Sequence, residues 1–275
     1  MPETSPSREG AQYIFRATDT HTGRKVFISP ENSSMKEMSY ARTILDGRDL
    51  KVTFETGDRE TGLFILRGDV EVLVDGRSEK LSQNDAIYIP RGSRVEIKSS
   101  GRADVAEVSA PVEGQYPLQV VRYADVKKDP SLRFQAGQSP SSRTVEILIG
   151  KNVKAGRILG GITRSDPGNW TSWPPHEHAA MLEEIYVYID MPPPGFGIQF
   201  VYTDVQSPAF LGVVRQGDAV VLPSGYHPNV AVPGHPIAFL WIMAAHREVE
   251  DRRYGVVNIQ PEFDSGVNPL AASLK

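Results

Sequence analysis

The sequence contains no cysteine, and this absence excludes several kinds of site at once. Without thiols there is no disulfide, no thiolate metal ligand and no cysteine nucleophile. Any metal ion must therefore be bound by histidine and carboxylate side chains.

Long apolar runs and blocks of one charge are also missing. No run approaches the roughly 18 to 20 apolar residues that a membrane-spanning helix needs. Residues 1–10 are polar and have no apolar core of the kind found in a signal peptide. Acidic and basic residues are mixed, and the formal net charge is -4. No basic block indicates nucleic-acid binding. We expect a cytoplasmic, soluble protein that binds neither nucleic acid nor membranes.

Long stretches with the 3.6-residue apolar periodicity of helices are absent, and short strand-like runs take their place. These runs are rich in Val, Ile, Tyr and Phe, and clusters drawn from 24 glycines and 21 prolines separate them. This pattern is typical of an antiparallel all-β sandwich or barrel. The runs are Leu63–Leu73, Ala86–Pro90, Val145–Ile149, Ile185–Ile189, Gly197–Tyr202, Ala219–Pro223 and Ile237–Met243.

One sequence element occurs twice. Residues 84–94 (NDAIYIPRGSR) align without a gap with residues 217–227 (GDAVVLPSGYH). Each reads as a turn, Asp-Ala, an apolar strand and then Pro-x-Gly-x. Two copies of one β-barrel unit explain the repeat. Residues 125–142 are polar and rich in Ser, Pro and Lys, which predicts a connection between the halves.

The second half contains a candidate metal site. Two histidines lie two positions apart after a proline pair, so in a strand both imidazoles face one side. Two glutamates open the next predicted strand, and another histidine follows the repeated Pro-x-Gly-x element. An isolated His-x-His is also common in exposed loops, but the whole ordered set favours Zn²⁺, Mn²⁺, Fe²⁺, Ni²⁺ or Co²⁺. The residues are His176, His178, Glu183, Glu184 and His227.

The order His-x-His, Glu, Pro-x-Gly-x-His resembles the cupin superfamily. More narrowly, the chain is similar to the 5-deoxy-glucuronate isomerase family of inositol catabolism, which is grouped with 5-keto-4-deoxyuronate isomerase. The resemblance is strongest from 168 to 228 and extends over most of the chain. The segments that carry it are 167–178, 182–186, 195–199, 201–204 and 222–228, with 55–60 and 109–111 in the first half.

The resemblance implies an all-β bicupin fold, with two antiparallel jelly-roll β-barrels in tandem. Residues 1–124 would form a degenerate barrel without metal, 125–142 the connection, and 143–275 the metal-binding barrel. The first copy has Arg94 where the second has His227, which fits a structural role; a role for Arg94 in binding an acidic ligand is the alternative. The chain departs from the family pattern after His178, at Phe200 and over 243–246.

Either glutamate can be the ligand. The usual cupin spacing from His178 favours Glu183, whereas aligning residues 184–188 with the uronate isomerases favours Glu184. Alternation turns Tyr186 inward if Glu184 is the ligand and Ile185 inward if Glu183 is. A polar sugar-acid pocket uses tyrosines better. We therefore select Glu184.

The reaction that the resemblance implies is the aldose–ketose isomerisation of 5-deoxy-glucuronate to 2-deoxy-5-keto-gluconate in myo-inositol catabolism. The enzyme would be an intramolecular oxidoreductase that uses a divalent metal, with zinc as the first choice. Its ligands would be His176, His178, Glu184 and His227. Glu183 or Tyr186 would then be the catalytic group near the metal; an outward-facing strand residue is the alternative for each.

The carboxylate of a sugar acid predicts an arginine partner, because a guanidinium binds it through two hydrogen bonds. Arg143 and Arg164 are the candidates, and Gln199, Tyr202 and Tyr226 are candidates for the pocket wall. Each is otherwise a surface charge or a structural residue of the barrel wall.

Other functions fit the same fold. They are a 5-keto-4-deoxyuronate isomerase, an iron-dependent cupin dioxygenase and a non-catalytic cupin that binds a sugar acid. We also expect a homodimer or a larger homo-oligomer, because exposed strand edges are commonly covered by another subunit.

Overall fold

The computed structural model describes residues 12–47, 50–266 and 270, and these residues form a nearly all-β structure. The all-β prediction is confirmed. The strands of the first half are β1 (Ile14–Phe15), β2 (Gly23–Ile28), β3 (Ser39–Leu45), β4 (Lys51–Glu55), β5 (Arg59–Arg67), β6 (Val70–Val74), β7 (Arg77–Leu81), β8 (Ala86–Ile89), β9 (Arg94–Lys98), β10 (Ala103–Pro111) and β11 (Gln119–Val121).

A short helix, α1 (Tyr123–Val126), leads into the second half, and a 3₁₀ turn (Pro261–Phe263) lies near its end. Within the described ranges, no helix is long and apolar enough to cross a membrane. The remaining strands are β12 (Arg133–Ala136), β13 (Arg143–Ile149), β14 (Ile158–Ser165), β15 (Trp170–Thr171), β16 (His176–Glu177), β17 (Leu182–Tyr188), β18 (Gly197–Val201), β19 (Phe210–Val214), β20 (Ala219–Leu222), β21 (Asn229–Ala231), β22 (Ala238–Ala245) and β23 (Asn258–Ile259).

The two halves have corresponding strand orders, although the large sheet has six strands in the first half and seven in the second. A large sheet in the first half has the order β11-β8-β5-β10-β3-β2, and one in the second has the order β1-β20-β17-β22-β14-β13-β12. Smaller sheets, β4-β9-β6-β7 and β15-β21-β18-β19, accompany them, and β16 pairs with β23. The repeated sequence element therefore corresponds to β8 and β20, which occupy equivalent places.

An edge strand from the first half completes the second large sheet. β1 lies at the start of the first half but pairs with β20 of the second, with Ile14 opposite Val220. β11 follows the first half's central strands and pairs with β8. The predicted connection, 125–142, contains β12, which extends the second sheet by pairing with β13. β1 therefore ties the first half to the edge of the second half's sheet.

Burial explains which strands show a sequence period. In β6 the residues alternate between buried and half-buried because one face meets solvent. β17 and β20 are buried along their whole length, so both faces pack against protein. A strand buried on both faces has no polar side to mark its orientation.

A pair of buried glutamates links the halves reciprocally. Glu60 on β5 accepts hydrogen bonds from the backbone N–H groups of 156–158, with donor–acceptor distances of 2.6–2.7 Å. Glu183 on β17 accepts hydrogen bonds from those of 36–38, at 2.6–2.9 Å. The registers make these positions equivalent, because Glu60 lies opposite Ala110 and Glu183 opposite Ala244. Hydrogen bonds to a buried carboxylate are among the stronger ones in proteins.

Candidate metal centre

One face of the second large sheet lines a small cavity. Successive residues of a strand point to opposite faces, so each strand contributes every second residue. The contributing strands are β13, β14, β17 and β22, and the segment after β22 closes one side. The strand residues are Arg143, Val145, Thr163, Leu182, Glu184, Tyr186, Phe239, Trp241 and Met243.

Three side chains converge in this cavity. Glu184 Oε2 lies 3.1 Å from His178 Nε2 and 3.4 Å from His227 Nε2. One ligand atom from each residue lies within 4.8 Å of the others, and all three residues are buried. Two imidazole nitrogens and a carboxylate oxygen in this arrangement favour a cation between them.

Backbone carbonyls orient all three histidine rings. His176 Nδ1 lies 2.9 Å from Pro174 O, His178 Nδ1 3.2 Å from Leu182 O, and His227 Nδ1 2.9 Å from Gly225 O. A carbonyl oxygen accepts only, so each Nδ1 carries the proton. The Nε2 atoms of His176 and His227 are then unprotonated and can bind a metal ion, as in protein metal sites whose outer contacts fix the tautomer. His178 Nε2 forms a hydrogen bond with Glu184 Oε2 at 3.1 Å.

Burial keeps two of these imidazoles neutral at physiological pH. It lowers the pKa of His176 to about 3 and that of His227 well below its usual value. Burial also raises the pKa of Glu184, while the hydrogen bond to His178 opposes that shift. His227 Nε2 is buried and has no hydrogen-bond partner among the described residues. An unpaired buried nitrogen is costly, and a metal ion would satisfy it.

His176 lies beside the converging group. Its ring centroid is 5.1 Å from that of His227 and 6.4 Å from that of His178. β16, which carries His176, is held by pairing with β23, where His176 lies opposite Ile259. The structure brings His178, Glu184 and His227 within ligand distance of one another and places His176 next to them.

Glu183 faces away from this group. Its two oxygens accept the backbone hydrogen bonds of 36–38, and it is 1% exposed. The neighbouring Glu184 points to the opposite face of β17. The geometry therefore does not bring Glu183 to the histidines, and its carboxylate is engaged in linking the two halves.

Tyr186 lies on the cavity face of β17. Its hydroxyl is 2.7 Å from Ser172 Oγ, its ring is 4.1 Å from that of Phe239, and it lies 5.9 Å from the His227 ring. Burial raises the pKa of Tyr186 well above its usual value, so the phenol stays protonated. Tyr186 and Ser172 form a pair of hydroxyl groups that can hold a proton beside the histidines.

Arg143 lines the cavity and is almost completely buried. Two of its guanidinium nitrogens donate to Ser141 O, at 2.9 Å, and Trp173 O, at 2.8 Å. Among the described residues no carboxylate pairs with it. A buried guanidinium bound only to carbonyls keeps its positive charge uncompensated, which favours an anionic ligand.

The other predicted binding residues lie elsewhere. Arg164 pairs with Glu146 and, at 3.2 Å, with Asp190. Gln199 is buried and donates from Nε2 to His227 O at 3.0 Å, so it supports the backbone of a histidine. Tyr202 and Tyr226 pack against each other with centroids 5.7 Å apart, and the Tyr202 hydroxyl donates to Gln260 Oε1 at 2.8 Å.

Several cavity residues were not predicted from the sequence. Thr163, Trp241 and Met243 lie on strands whose other face is also buried, so no alternation of polar and apolar residues marks the face that lines the cavity. Ser172 precedes the proline pair and has φ 50°, in the left-handed region. Tyr254 follows β22 in a segment with no motif. The one sequence pattern that indicated a cavity-facing side was the alternation of large side chains at Phe239, Trp241 and Met243 along β22.

A model of the KduI/IolB family matches residues 13–263. A protein of Geobacillus kaustophilus named 5-deoxy-glucuronate isomerase is 29% identical over 267 residues, which cover 89% of this chain and 88% of that protein. A protein of the same name from Shouchella clausii is 31% identical over 207 residues, covering 68% and 74%. The prediction that the chain is an isomerase enzyme is confirmed.

Solved structures show the same fold. An IolB-like protein from Salmonella typhimurium has a TM-score of 0.81 at 22% identity, covering 92% of this chain and 98% of that one. A cupin 2 conserved barrel domain protein from Leptotrichia buccalis has a TM-score of 0.50 at 15% identity, covering 88% and 92%. The fold is therefore cupin-like. With the family model matched over nearly the whole described chain, this protein belongs to the KduI/IolB family.

Proposed function

We propose that the enzyme is a metal-dependent aldose–ketose isomerase that converts 5-deoxy-glucuronate to 2-deoxy-5-keto-gluconate in myo-inositol catabolism. The substrate is taken from the name shared by the relatives from Geobacillus kaustophilus and Shouchella clausii. The observation that carries the metal dependence is the convergence of two imidazole nitrogens and one carboxylate oxygen within 4.8 Å.

The proposed ligands are His176, His178, Glu184 and His227, within the second of two cupin barrels. Zinc is the first choice, and Mn²⁺, Fe²⁺, Ni²⁺ and Co²⁺ suit the same donors. The bound metal would supply Lewis acidity that polarises the substrate's carbonyl group. Each ligand histidine has its Nδ1 tied to a carbonyl, so the site needs little rearrangement to bind the ion.

Arg143 would bind the substrate carboxylate. Its two carbonyl contacts fix the guanidinium in place and leave further N–H groups for a carboxylate. Electrostatic attraction at this buried position is stronger than it would be in water. Arg143 then sets the direction in which the sugar acid lies across the cavity.

The isomerisation moves one hydrogen from C2 to C1 and a proton from the C2 hydroxyl to the C1 oxygen, so it needs no external oxidant or reductant. The Tyr186 and Ser172 hydroxyls, 2.7 Å apart, would hold and return the mobile oxygen-bound proton. Glu183 is not used in this scheme, because its carboxylate is engaged by backbone N–H groups.

The test is an isomerase assay with 5-deoxy-glucuronate on metal-loaded protein, with ketose formation followed by NMR. Turnover should disappear in a His176→Ala/His178→Ala variant and persist in His235→Ala, which changes a histidine outside the cavity. A metal-loaded protein that binds its ion but leaves 5-deoxy-glucuronate unchanged would reject this substrate. The same preparation would then be assayed with a 5-keto-4-deoxyuronate.

A further inference from the structure

Tyr254 lies in the segment that follows β22 and forms part of the cavity wall. Its ring stacks on Trp241, with centroids 4.5 Å apart and planes 16° from parallel. Trp241 lies opposite Tyr186 in the pairing of β22 with β17. The phenol of Tyr254 is therefore supported by the same strands that position Glu184 and Tyr186.

Contacts on both sides of Tyr254 fix its segment. Arg252 donates to Ile158 O at 2.8 Å and to Gly150 O at 2.9 Å. Further along the chain, β23 pairs with β16, which places Asn258 opposite Glu177. The aromatic stack and these two anchors hold the Tyr254 ring in one orientation, which is the preorganisation that a binding group requires.

The Tyr254 hydroxyl has no hydrogen-bond partner among the described residues, unlike other tyrosines of the core. Tyr88 donates to Glu60 at 2.7 Å, Tyr188 donates to Gln199 at 2.5 Å, and Tyr186 pairs with Ser172. These three tyrosines are almost fully buried, whereas Tyr254 is partly buried, so its hydroxyl is satisfied without a protein partner and is available to a ligand. Burial and, next, the charge of Glu184 raise the pKa of Tyr254, so the hydroxyl stays protonated and can donate.

Arg143 lines the same cavity, and its charge acts on Tyr254. A fixed cation and a phenol O–H without a protein acceptor together suit one carboxylate, which has enough lone pairs for both. We infer that Tyr254 is a substrate-binding residue whose hydroxyl donates a hydrogen bond to the carboxylate that Arg143 binds. The inference rests on the proposed function in that the substrate is a sugar acid.

The test compares Tyr254→Phe with the wild type. Phenylalanine keeps the stack on Trp241 and removes only the hydroxyl. KM for 5-deoxy-glucuronate should rise about ten- to one-hundredfold, the usual effect of losing a hydrogen bond to a charged group, while kcat changes little. Tyr116→Phe is the matched control, because the Tyr116 hydroxyl donates to Glu248 at 2.6 Å outside the cavity wall; it should leave KM unchanged.

Two further measurements separate this inference from the proposed function. With 5-deoxy-glucose, which has a hydroxymethyl group in place of the carboxylate, wild type and Tyr254→Phe should have the same KM. Gluconate, a sugar acid without a reactive aldehyde, should bind metal-loaded wild type more tightly than the variant by calorimetry. If gluconate binds Tyr254→Phe more weakly than the wild type but 5-deoxy-glucuronate is not turned over, the substrate assignment is wrong and the role of Tyr254 in binding a carboxylate is kept. The inference would be overturned if wild type and Tyr254→Phe had equal KM for 5-deoxy-glucuronate or equal affinities for gluconate. It would also be overturned if the wild type neither turned over 5-deoxy-glucuronate nor bound gluconate.

Discussion

Glu184 and Thr61 occupy equivalent places in the two halves of the chain. Glu184 lies opposite Leu222 at the end of the repeated strand β20, and Thr61 lies opposite Ile89 at the end of β8. The residue before each is a glutamate that binds backbone N–H groups of the other half. The halves thus share the linking carboxylate and differ at the next residue, which faces the interior.

The interior of the first half is filled differently. Leu63, which is equivalent to Tyr186, belongs to an aliphatic cluster that includes Ile65 and Ile87. Glu107, equivalent to Trp241 by the strand registers, pairs with Arg24 through two hydrogen bonds of 2.7 Å. In the first half the carboxylate of Glu107 therefore neutralises the charge of Arg24, whereas in the second half no carboxylate of the described residues pairs with Arg143. The same strand framework holds a packed interior in one half and a polar cavity in the other.

Some features of the chain belong to the shared framework and others to the site. The reciprocal glutamates and the order of the equivalent strands are present in both halves. The converging histidines, Glu184 and the uncompensated Arg143 are present in the second half alone among the described residues. Substitutions at equivalent positions should therefore separate stability from activity.

The largest effect is expected at the position where the halves differ. Glu184→Gln removes the anionic ligand atom and should lower kcat/KM by more than about a hundredfold, because losing even an outer contact of a metal ligand commonly costs ten- to a hundredfold. Thr61→Val, at the equivalent position, should leave the rate unchanged. Steady-state kinetics with 5-deoxy-glucuronate measures both. Equal effects of the two substitutions would contradict the division of roles.

An intermediate effect is expected where the halves are alike. Glu60→Gln and Glu183→Gln each weaken three hydrogen bonds from backbone N–H groups, and each should lower the free energy of unfolding by about 2–4 kcal/mol. Urea denaturation monitored by fluorescence measures this difference. Glu183→Gln should also reduce metal affinity about tenfold, because Glu183 fixes the strand next to Glu184. A loss of stability in one variant alone would show that the two links are not equivalent.

The smallest effect is expected at the contact between the two large sheets. A methyl group added at Gly160 would lie 2.3 Å from Cζ of Phe64 in the first half. Gly160→Ala should therefore destabilise the protein by about 1–3 kcal/mol through overpacking. Gly101→Ala is the control, because no atom lies within 4 Å of the added methyl there. Thermal unfolding of both variants compares them, and equal midpoints would argue against close packing at this contact.

The sequence predicted the strands and the repeat well because both depend on local patterns. It left Glu183 and Glu184 unresolved because every residue of β17 is buried, so alternation carried no polarity signal. Glu60 in the first half is the counterpart of Glu183, and this match assigns the ligand role to Glu184. The sequence alone did not reveal the match, because the segment between the glutamate and the repeated element is longer in the second half than in the first. Tyr254 was missed because its position depends on a stack with Trp241, which no local motif encodes. Arg164 was a candidate for binding the substrate carboxylate, because the sequence does not show whether an arginine near a strand is already paired with a carboxylate of the protein.

The most direct test of the account is the metal content of purified protein, measured by mass spectrometry after metal loading and desalting. The wild type should retain about one divalent ion per chain, and the Glu184→Gln and His178→Ala/His227→Ala variants should retain none. Glu60→Gln should retain the ion like the wild type. Retention of the ion by the His178→Ala/His227→Ala variant, or two ions per wild-type chain, would contradict a single centre built by the second half.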